Sequence, residues 1–379
     1  MTTELTSCDV AICGAGPTGS ALAALLAKAG RDVVLIDRQP TPGFSVGESL
    51  LPFGNRVLEK IGVSMDGFLR KEGAVFTWMP TIDADLQTMR IDFSEAARPT
   101  WTAAHQVPRA EFDRRVRQAA LDAGARLEVA TVKSFAPPNV VTDRGIVRAN
   151  RVIDALGREG VLAKQLGMRR FHSQLRNAAR TMWFRDVKRF EPEKLGDIVI
   201  ACFDGGWFWF IPFADGVTSV GSVTTKDSGI KGDWEGALAR CASARARLEG
   251  AVPVSEMRGL QDFSAVSESF FGDGWAMCGD AAVFIDPVFS SGVLLGLECA
   301  AGLADAILGE KSFEDWQTSI VAASKAFESV ALAFYDRSFL KVMFAERQDQ
   351  RVRSEIVALL AGDVVFSPHP GKMASRLGT

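Results

Sequence analysis

Three histidines, one tyrosine and six cysteines are all that 379 residues contain of those types, and each scarcity closes off a class of chemistry. His105, His172 and His369 stand far apart with no carboxylates at ligand spacing, so no resident metal centre is expected. Cys8, Cys13, Cys202, Cys241, Cys278 and Cys299 form no CxxC pair. They read as small buried hydrophobes of a reducing compartment, which places the chain in the cytoplasm. With 43 Lys and Arg against 46 Asp and Glu, the formal net charge is −3 and offers no basic field to nucleic acid. The opening MTTELTSCD lacks a basic leader region, and no apolar run looks long enough to span a bilayer, so neither export nor membrane embedding is expected. Redox chemistry, if present, must come from an organic cofactor. What the chain does have is 47% hydrophobic composition, enough to bury a core of two lobes or more.

The stretch DVAICGAGPTGSALAALLAKAGRDVVLIDR carries the first positive signal. An apolar run ends at Cys13, the chain turns through Gly14, Gly16 and Gly19, a helical stretch stops at Gly30, and a second strand ends at Asp37, followed by Arg38. This is a βαβ unit. Its glycines permit the tight turn and let the backbone approach a pyrophosphate at the positive end of the helix. Asp37 is spaced for an adenosine ribose. Far downstream, GWAMCGDAAVFIDPVFSSGVLLGLECAAGLADAIL again runs from a strand through Gly279-Asp280 and a Pro-containing loop into an apolar helix, a second nucleotide-facing segment. Strand-like alternation marks residues 73 to 93 and 180 to 225, assigned to a substrate-facing sheet. From about 311 the pattern is helical, and FEDWQTSIVAASKAFESVALAFYDRSFLKVMFAE is long, apolar-striped and free of Pro and Gly.

GGWFWFIP sets two of the eight tryptophans one residue apart. On its own it reads as a strand of an aromatic core. Trp207, Trp209, Ile211 and Pro212, however, match the W-x-W-x-I-P signature, and Phe284, Pro287, Ser290 and Gly292 the F-x-x-P-x-x-S-x-G pattern, of the flavin-dependent halogenases. VGESLLP, with Glu48 and Ser49, resembles the flavin-contacting strap of that family, and KEGAVFTW resembles the segment carrying its essential lysine, here Lys71. Gly279-Asp280, VPRAEFDRR with Arg109, and VIDALGREG with Asp154 resemble segments of FAD enzymes built like the aromatic hydroxylases. The resemblance runs from residue 8 to about 310 and lies nearer the phenol and pyrrole branch than the tryptophan branch.

This resemblance implies an α/β fold: an FAD-binding Rossmann-like domain of the aromatic-hydroxylase type (1–72, 101–170, 258–310), an inserted substrate-domain sheet (73–100, 171–257) and a C-terminal helical cap (311–379). It implies FAD, used as FADH2, held by Gly14, Gly16, Gly19, Asp37, Arg38, Glu48, Ser49, Arg109, Asp280, Pro287 and Gly292. Chloride or bromide would sit on Ser290, Ser291 and Gly292, where ordinary helix capping by Ser is the competing reading. Ser49 could likewise cap the helix after it. Trp207 and Trp209 would form a barrier that keeps an aromatic substrate off the flavin, so that only a halide is oxidised. Lys71 would act on hypohalous acid, by hydrogen bond or as a haloamine. A separate NADH-dependent flavin reductase would supply FADH2, and a pyrrolyl or phenolic substrate, free or on an acyl carrier protein, would be halogenated. Runner-up readings are a flavin monooxygenase or prenyl-type flavin reductase of the same fold, and a non-catalytic flavoprotein binding a partner through its C-terminal helices. Tyr335, the lone tyrosine beside 25 Phe, suits an enzyme that handles hypohalous acid, though chance explains it equally.

Overall fold

The computed structural model describes residues 4–79, 85–346 and 349–364. Residues 80–84 of the expected substrate sheet, the tail of the expected cap from 365, and with it His369, lie outside the described residues. From the N-terminus the chain forms β1 (Glu4–Cys13), α1 (Pro17–Lys28) and β2 (Val33–Asp37), then β3 (Leu69–Lys71), β4 (Gly73–Trp78), β5 (Gln87–Asp92) and β6 (Ala104–Gln106). It continues through α2 (Arg109–Asp122), β7 (Arg126–Val129), β8 (Ile146–Asp154), β9 (Ala178–Arg185), β10 (Ile198–Phe203), β11 (Gly206–Pro212), β12 (Thr218–Thr224) and β13 (Trp275–Met277). Four helices follow: α3 (Ser291–Leu308), α4 (Phe313–Tyr335), α5 (Ser338–Met343) and α6 (Gln350–Ala361).

Two sheets carry the architecture. The first has a parallel core in the order β13-β8-β1-β2-β7. β2 (VVLI) and the C-terminal part of β1 (VAIC) are buried apolar runs, as expected where strands are covered on both faces, and α1 packs against α3 beside them. The second sheet runs β9-β12-β11-β10-β4-β5, antiparallel except where β10 meets β4. Arg258–Gln261 adds to its edge by pairing with β9. One face of this sheet buries Phe208 and Phe210 with Trp234; the other buries Trp207, Trp209 and Ile211 beneath α4, α5 and α6. The split follows from the two-residue period of a strand, which sends alternate side chains of β11 to opposite faces.

Two sequence expectations need correcting. The helical run from 313 is interrupted: α4 ends at Tyr335, Arg337 takes a left-handed φ of 73°, and α5 begins at Ser338, whose N–H donates to Asp336 Oδ1 at 2.8 Å. That turn lets Phe339, Leu340 and Met343 enter the core, a gain that outweighs helical continuity. Apolar length was also underestimated. Among the described residues, α3 is long and apolar enough by composition to cross a membrane, yet two thirds of it is buried inside the fold, as befits a core helix.

Candidate functional site

The turn after β1 is built on glycine for steric reasons. Gly14 has φ of +103°, and a Cβ there would lie 2.3 Å from the Ala155 carbonyl oxygen; one on Gly19 would lie 1.9 Å from the Gly14 oxygen. A Cβ on Gly16 would meet nothing within 4 Å, because Gly16 borders open space. That space is a cavity of about 650 Å³. Gly14 and Gly16 line one part of it with Asp37 and Arg38. Asp37 accepts from the N–H of Ala15 (2.8 Å) and of Gln39 (2.9 Å), and Arg38 pairs with Glu159 at 2.9 Å.

The same cavity reaches Glu48, Ser49 and Arg109 on one side, Asp280, Pro287, Ser290 and Gly292 on another, and Trp207 and Trp209 in the second sheet. Arg109 opens α2 and is locked by a two-pronged pair with Asp113 (2.8 and 3.1 Å) and by bonds to the carbonyls of Val46 and Gly47. Burial raises the Asp280 carboxyl against the pull of Arg158, Arg109 and Arg169. Glu48 is buried, takes hydrogen bonds from Trp183 Nε1 (2.9 Å) and the Ser219 hydroxyl, and is pushed up to about 7, desolvation outweighing those bonds. Ser49 Oγ is buried without a partner in the chain, and Leu51 rather than Ser49 begins the following turn. An orphaned hydroxyl, an open helix N-terminus beside Gly16 and a fixed guanidinium make a donor set that fits a flavin dinucleotide.

The loop entering α3 also departs from ordinary capping. Ser290 sits at φ of +57° and makes no side-chain cap to the helix, while Asp286 caps Val288 N at 3.0 Å. Asp286 further accepts from Asn177 Nδ2 and from the Tyr335 hydroxyl, both at 3.1 Å, and burial pushes it up to about 7. In β11 the two indoles lie 5.8 Å apart, centroid to centroid. Trp209 lies across Gly221 on β12, where a Cβ would come within 2.0 Å of its ring.

Gly19, Ser291 and Lys71 are not among the residues that border the cavity; Gly19 is buried where α1 packs on the Gly14 turn. Lys71 lies on β3, opposite Ala104 of β6, and is 1% exposed. Its Nζ donates to Leu50 O at 2.9 Å and stands 5.3 Å from the Phe93 ring centroid. Burial lowers its pKa to about 7, with Asp197 opposing. Asp154 is also outside the cavity: its oxygens accept from Leu156 N (3.0 Å) and Leu162 N (2.7 Å), a structural cap. Asn177, Trp183 and Ser219 went unnoticed in the sequence, and nothing there pointed to them. Tyr335 is marked in the sequence by rarity alone, and Asp286, although it lies inside the FIDP stretch, by nothing. Among the described residues no group of His, Cys, Asp or Glu could hold a metal.

Comparison with known proteins gives a consistent result. Residues 7–310 match the FAD binding domain family. The 1H-pyrrole-2-carbonyl peptidyl-carrier-protein chlorinase of Pseudomonas fluorescens is 30% identical, over 94% of this chain and 89% of that protein. The corresponding brominase of Pseudoalteromonas luteoviolacea is 26% identical, over 95% of this chain and 93% of that one. Among solved structures, a flavoprotein/dehydrogenase from Cytophaga hutchinsonii superposes with a TM-score of 0.86 at 26% identity, over 98% of each chain.

Proposed function

We propose, for a chain that belongs to the FAD binding domain family and within it to the flavin-dependent halogenases, that it halogenates a pyrrolyl or phenolic ring presented as an acyl group on a carrier protein. The protein is an oxidoreductase with FAD as cofactor. The relatives support the halogenase reading and not the monooxygenase or reductase alternatives. What supports the substrate is that two relatives named for a pyrrole-2-carbonyl group on a peptidyl carrier protein match nearly the whole chain. Bound as FADH2, the flavin supplies, with O2 and chloride or bromide, the hypohalous acid that halogenation consumes.

The remaining work falls to the chain. In this reading Gly16 and the N-terminus of α1 take the pyrophosphate, Asp37 and Arg38 the adenosine end, and Arg109, Ser49 and Asp280 the flavin end. Ser290 and Gly292, which border the cavity, hold the halide through the Ser290 hydroxyl and the Gly292 N–H, while the Ser290 N–H is spent on Pro287 O at 3.0 Å and Ser291 lies off the cavity. Trp207 and Trp209 fill the space an aromatic substrate would need beside the flavin, so the oxidant leaves as hypohalous acid. Lys71, with one ammonium proton committed to Leu50 O, donates another to the oxygen of hypohalous acid. The O–halogen bond breaks as the ring carbon takes the halogen, that oxygen leaves as water carrying the lysine's proton, and the proton the ring then loses returns to the neutral lysine. The carbonyl contact favours this cationic form over a haloamine. A separate NADH-dependent reductase delivers FADH2 in the cytoplasm, and the chain divides into an FAD domain (1–72, 101–170, 258–310), a substrate sheet and a helical cap, with Arg258–Gln261 moved from the FAD domain to the edge of the substrate sheet.

The observation that carries the proposal is the single cavity running from the Gly14 turn to the two indoles. Its test is mass spectrometry of pyrrole-2-carbonyl and phenolic acyl carrier proteins, and of the free acids, incubated with FADH2, O2 and each halide. Halide-dependent gain of halogen on the tethered ring is expected. Hydroxylated product, or turnover indifferent to halide, would sink it.

A further inference from the structure

Trp207 and Trp209 share a face of β11, yet their N–H groups end on different hydroxyls. Trp207 Nε1 donates to the Tyr335 hydroxyl oxygen at 3.1 Å, and Trp209 Nε1 to Ser219 Oγ at 3.3 Å. Each hydroxyl has one proton to give, and each faces a buried carboxylate: Tyr335 lies 3.1 Å from both oxygens of Asp286, and Ser219 donates to Glu48. An indole N–H can only donate, so the first link of both chains is fixed, and whenever the carboxyl is ionised it can only accept, so each chain then runs indole to hydroxyl to carboxylate. The two carboxylates sit on different loops around the cavity. Glu48 belongs to the strap and is also held by Trp183 Nε1; Asp286 belongs to the loop entering α3, capping Val288 N and held by Asn177.

We infer that Tyr335 and Ser219 are positioning residues for halogenation, each fixing one barrier indole to one of the two loops that frame the cofactor cavity. The inference rests on reading the indoles as the barrier. Without its hydroxyl, each indole N–H is left unpaired in a buried place, its carboxylate keeps only its other donors (Trp183 for Glu48, Val288 N and Asn177 for Asp286), and the indole loses the contact that selects its rotamer. The wall is thus complete only when strap and loop are both in position, which couples oxidant containment to an ordered cavity. Tyr335 reaches the site from the end of α4, so the C-terminal helices contribute to the wall. A Phe would supply the same ring contact with Phe334; the hydroxyl is what the position adds.

The test is Tyr335→Phe and Ser219→Ala in protein labelled with 5-fluorotryptophan, its fluorine resonances assigned through Trp207→Phe and Trp209→Phe. In the apoprotein, Tyr335→Phe is expected to move the Trp207 resonance most and Ser219→Ala the Trp209 resonance most. With FADH2 and halide, each variant is expected to release about three- to tenfold more peroxide per O2 consumed, the equivalent of one buried hydrogen bond. Tyr335→Phe should add no leakage in a Trp207→Phe background. Unmoved resonances, unchanged leakage, or equal leakage with and without the indole would each overturn the inference; both readings must move for it to stand. Should Tyr335→Phe yield no folded protein, Ser219→Ala decides by the same two readings. A Trp207→Ala, Trp209→Ala protein separates the two ideas. If it leaks and the hydroxyl variants do not, only this inference fails; if it does not leak, the barrier reading itself fails.

Discussion

Lys71 Nζ hydrogen-bonds the main-chain oxygen of Leu50 at 2.9 Å, which ties the buried ammonium to the residue directly after the cavity-lining pair Glu48-Ser49. Strap and lysine are also anchored to the same strand: Leu50 N donates to His105 O at 3.0 Å, Val107 N to Glu48 O at 2.7 Å, and Lys71 pairs with Ala104. The lysine therefore lies next to the cavity-lining strap without bordering the cavity itself. Lys71→Ala is expected to bind FAD and consume O2 from FADH2 near the parental rate, while halogenated product falls by about a hundredfold or more. Lys71→Arg should fail nearly as badly, since a planar guanidinium cannot take the place of a compact ammonium in this packing. Product is measured by mass spectrometry with a hypohalous acid scavenger present; substantial halogenation by the Ala variant would remove Lys71 from the mechanism.

The same burial gives the reaction a pH signature. Desolvation lowers Lys71 to about 7, against the stabilising charge of Asp197. Below that value Nζ is an ammonium with protons to donate; above it the neutral amine has lost the charge that polarises hypohalous acid. Product per O2 consumed is expected to fall as pH rises through about 7, while O2 uptake by the FADH2-loaded enzyme does not follow that limb. A yield that climbs through the same range would assign the chemistry to the free amine instead.

The parts of the site that were legible in the sequence are those built locally. Gly14, Gly16, Gly19 and Asp37 lie within one βαβ unit, so spacing alone locates them, and the alternation in GGWFWFIP already puts Trp207 and Trp209 on one face. The relays behind the indoles were not legible. Tyr335 and Asp286 are 49 residues apart, and Glu48 and Ser219 are 171 apart; only the packing of α4 on the second sheet, and of the strap beneath it, brings them together. The break at Arg337 escaped notice because no Pro or Gly announces it. Asp154 matched a motif yet spends both oxygens on backbone N–H groups, a role that spacing cannot separate from cofactor contact.

Ser290 stores backbone strain in the loop proposed to hold the halide. Its φ of +57° is left-handed, a conformation that costs a non-Gly residue about 1 kcal/mol, and its side chain makes no compensating cap. Ser290→Gly is expected to raise the unfolding midpoint of the apoprotein slightly while raising the halide KM, since the hydroxyl beside the cavity is lost. Denaturant unfolding and halide titration of product yield check the two halves. A lower midpoint with unchanged halide KM would mean that the left-handed turn costs nothing and that the hydroxyl does not face the ion.

Glu48 links the site to stability. Its ordinary pKa is near 4.5, and burial lifts it to about 7 in the folded chain despite bonds from Ser219 and Trp183 and the charge of Arg109. Between those values the folded state holds a proton that the unfolded state has released, so this group's contribution to stability falls as pH rises from about 4.5 to 7 and is level above. Glu48→Gln abolishes that dependence. Relative to the parent, the variant's unfolding free energy should therefore climb across the window and plateau above it, whatever constant offset the altered hydrogen bonds impose. Asp286, also lifted to about 7 by burial, adds the same slope to parent and variant alike and cancels in the difference, as does His105, whose pKa burial lowers. The measurement is denaturant unfolding of both apoproteins at several pH values from 4.5 to 8. A variant-minus-parent difference that stays flat would mean that Glu48 is ionised throughout, and that its bonds to Ser219 and Trp183 outweigh its desolvation.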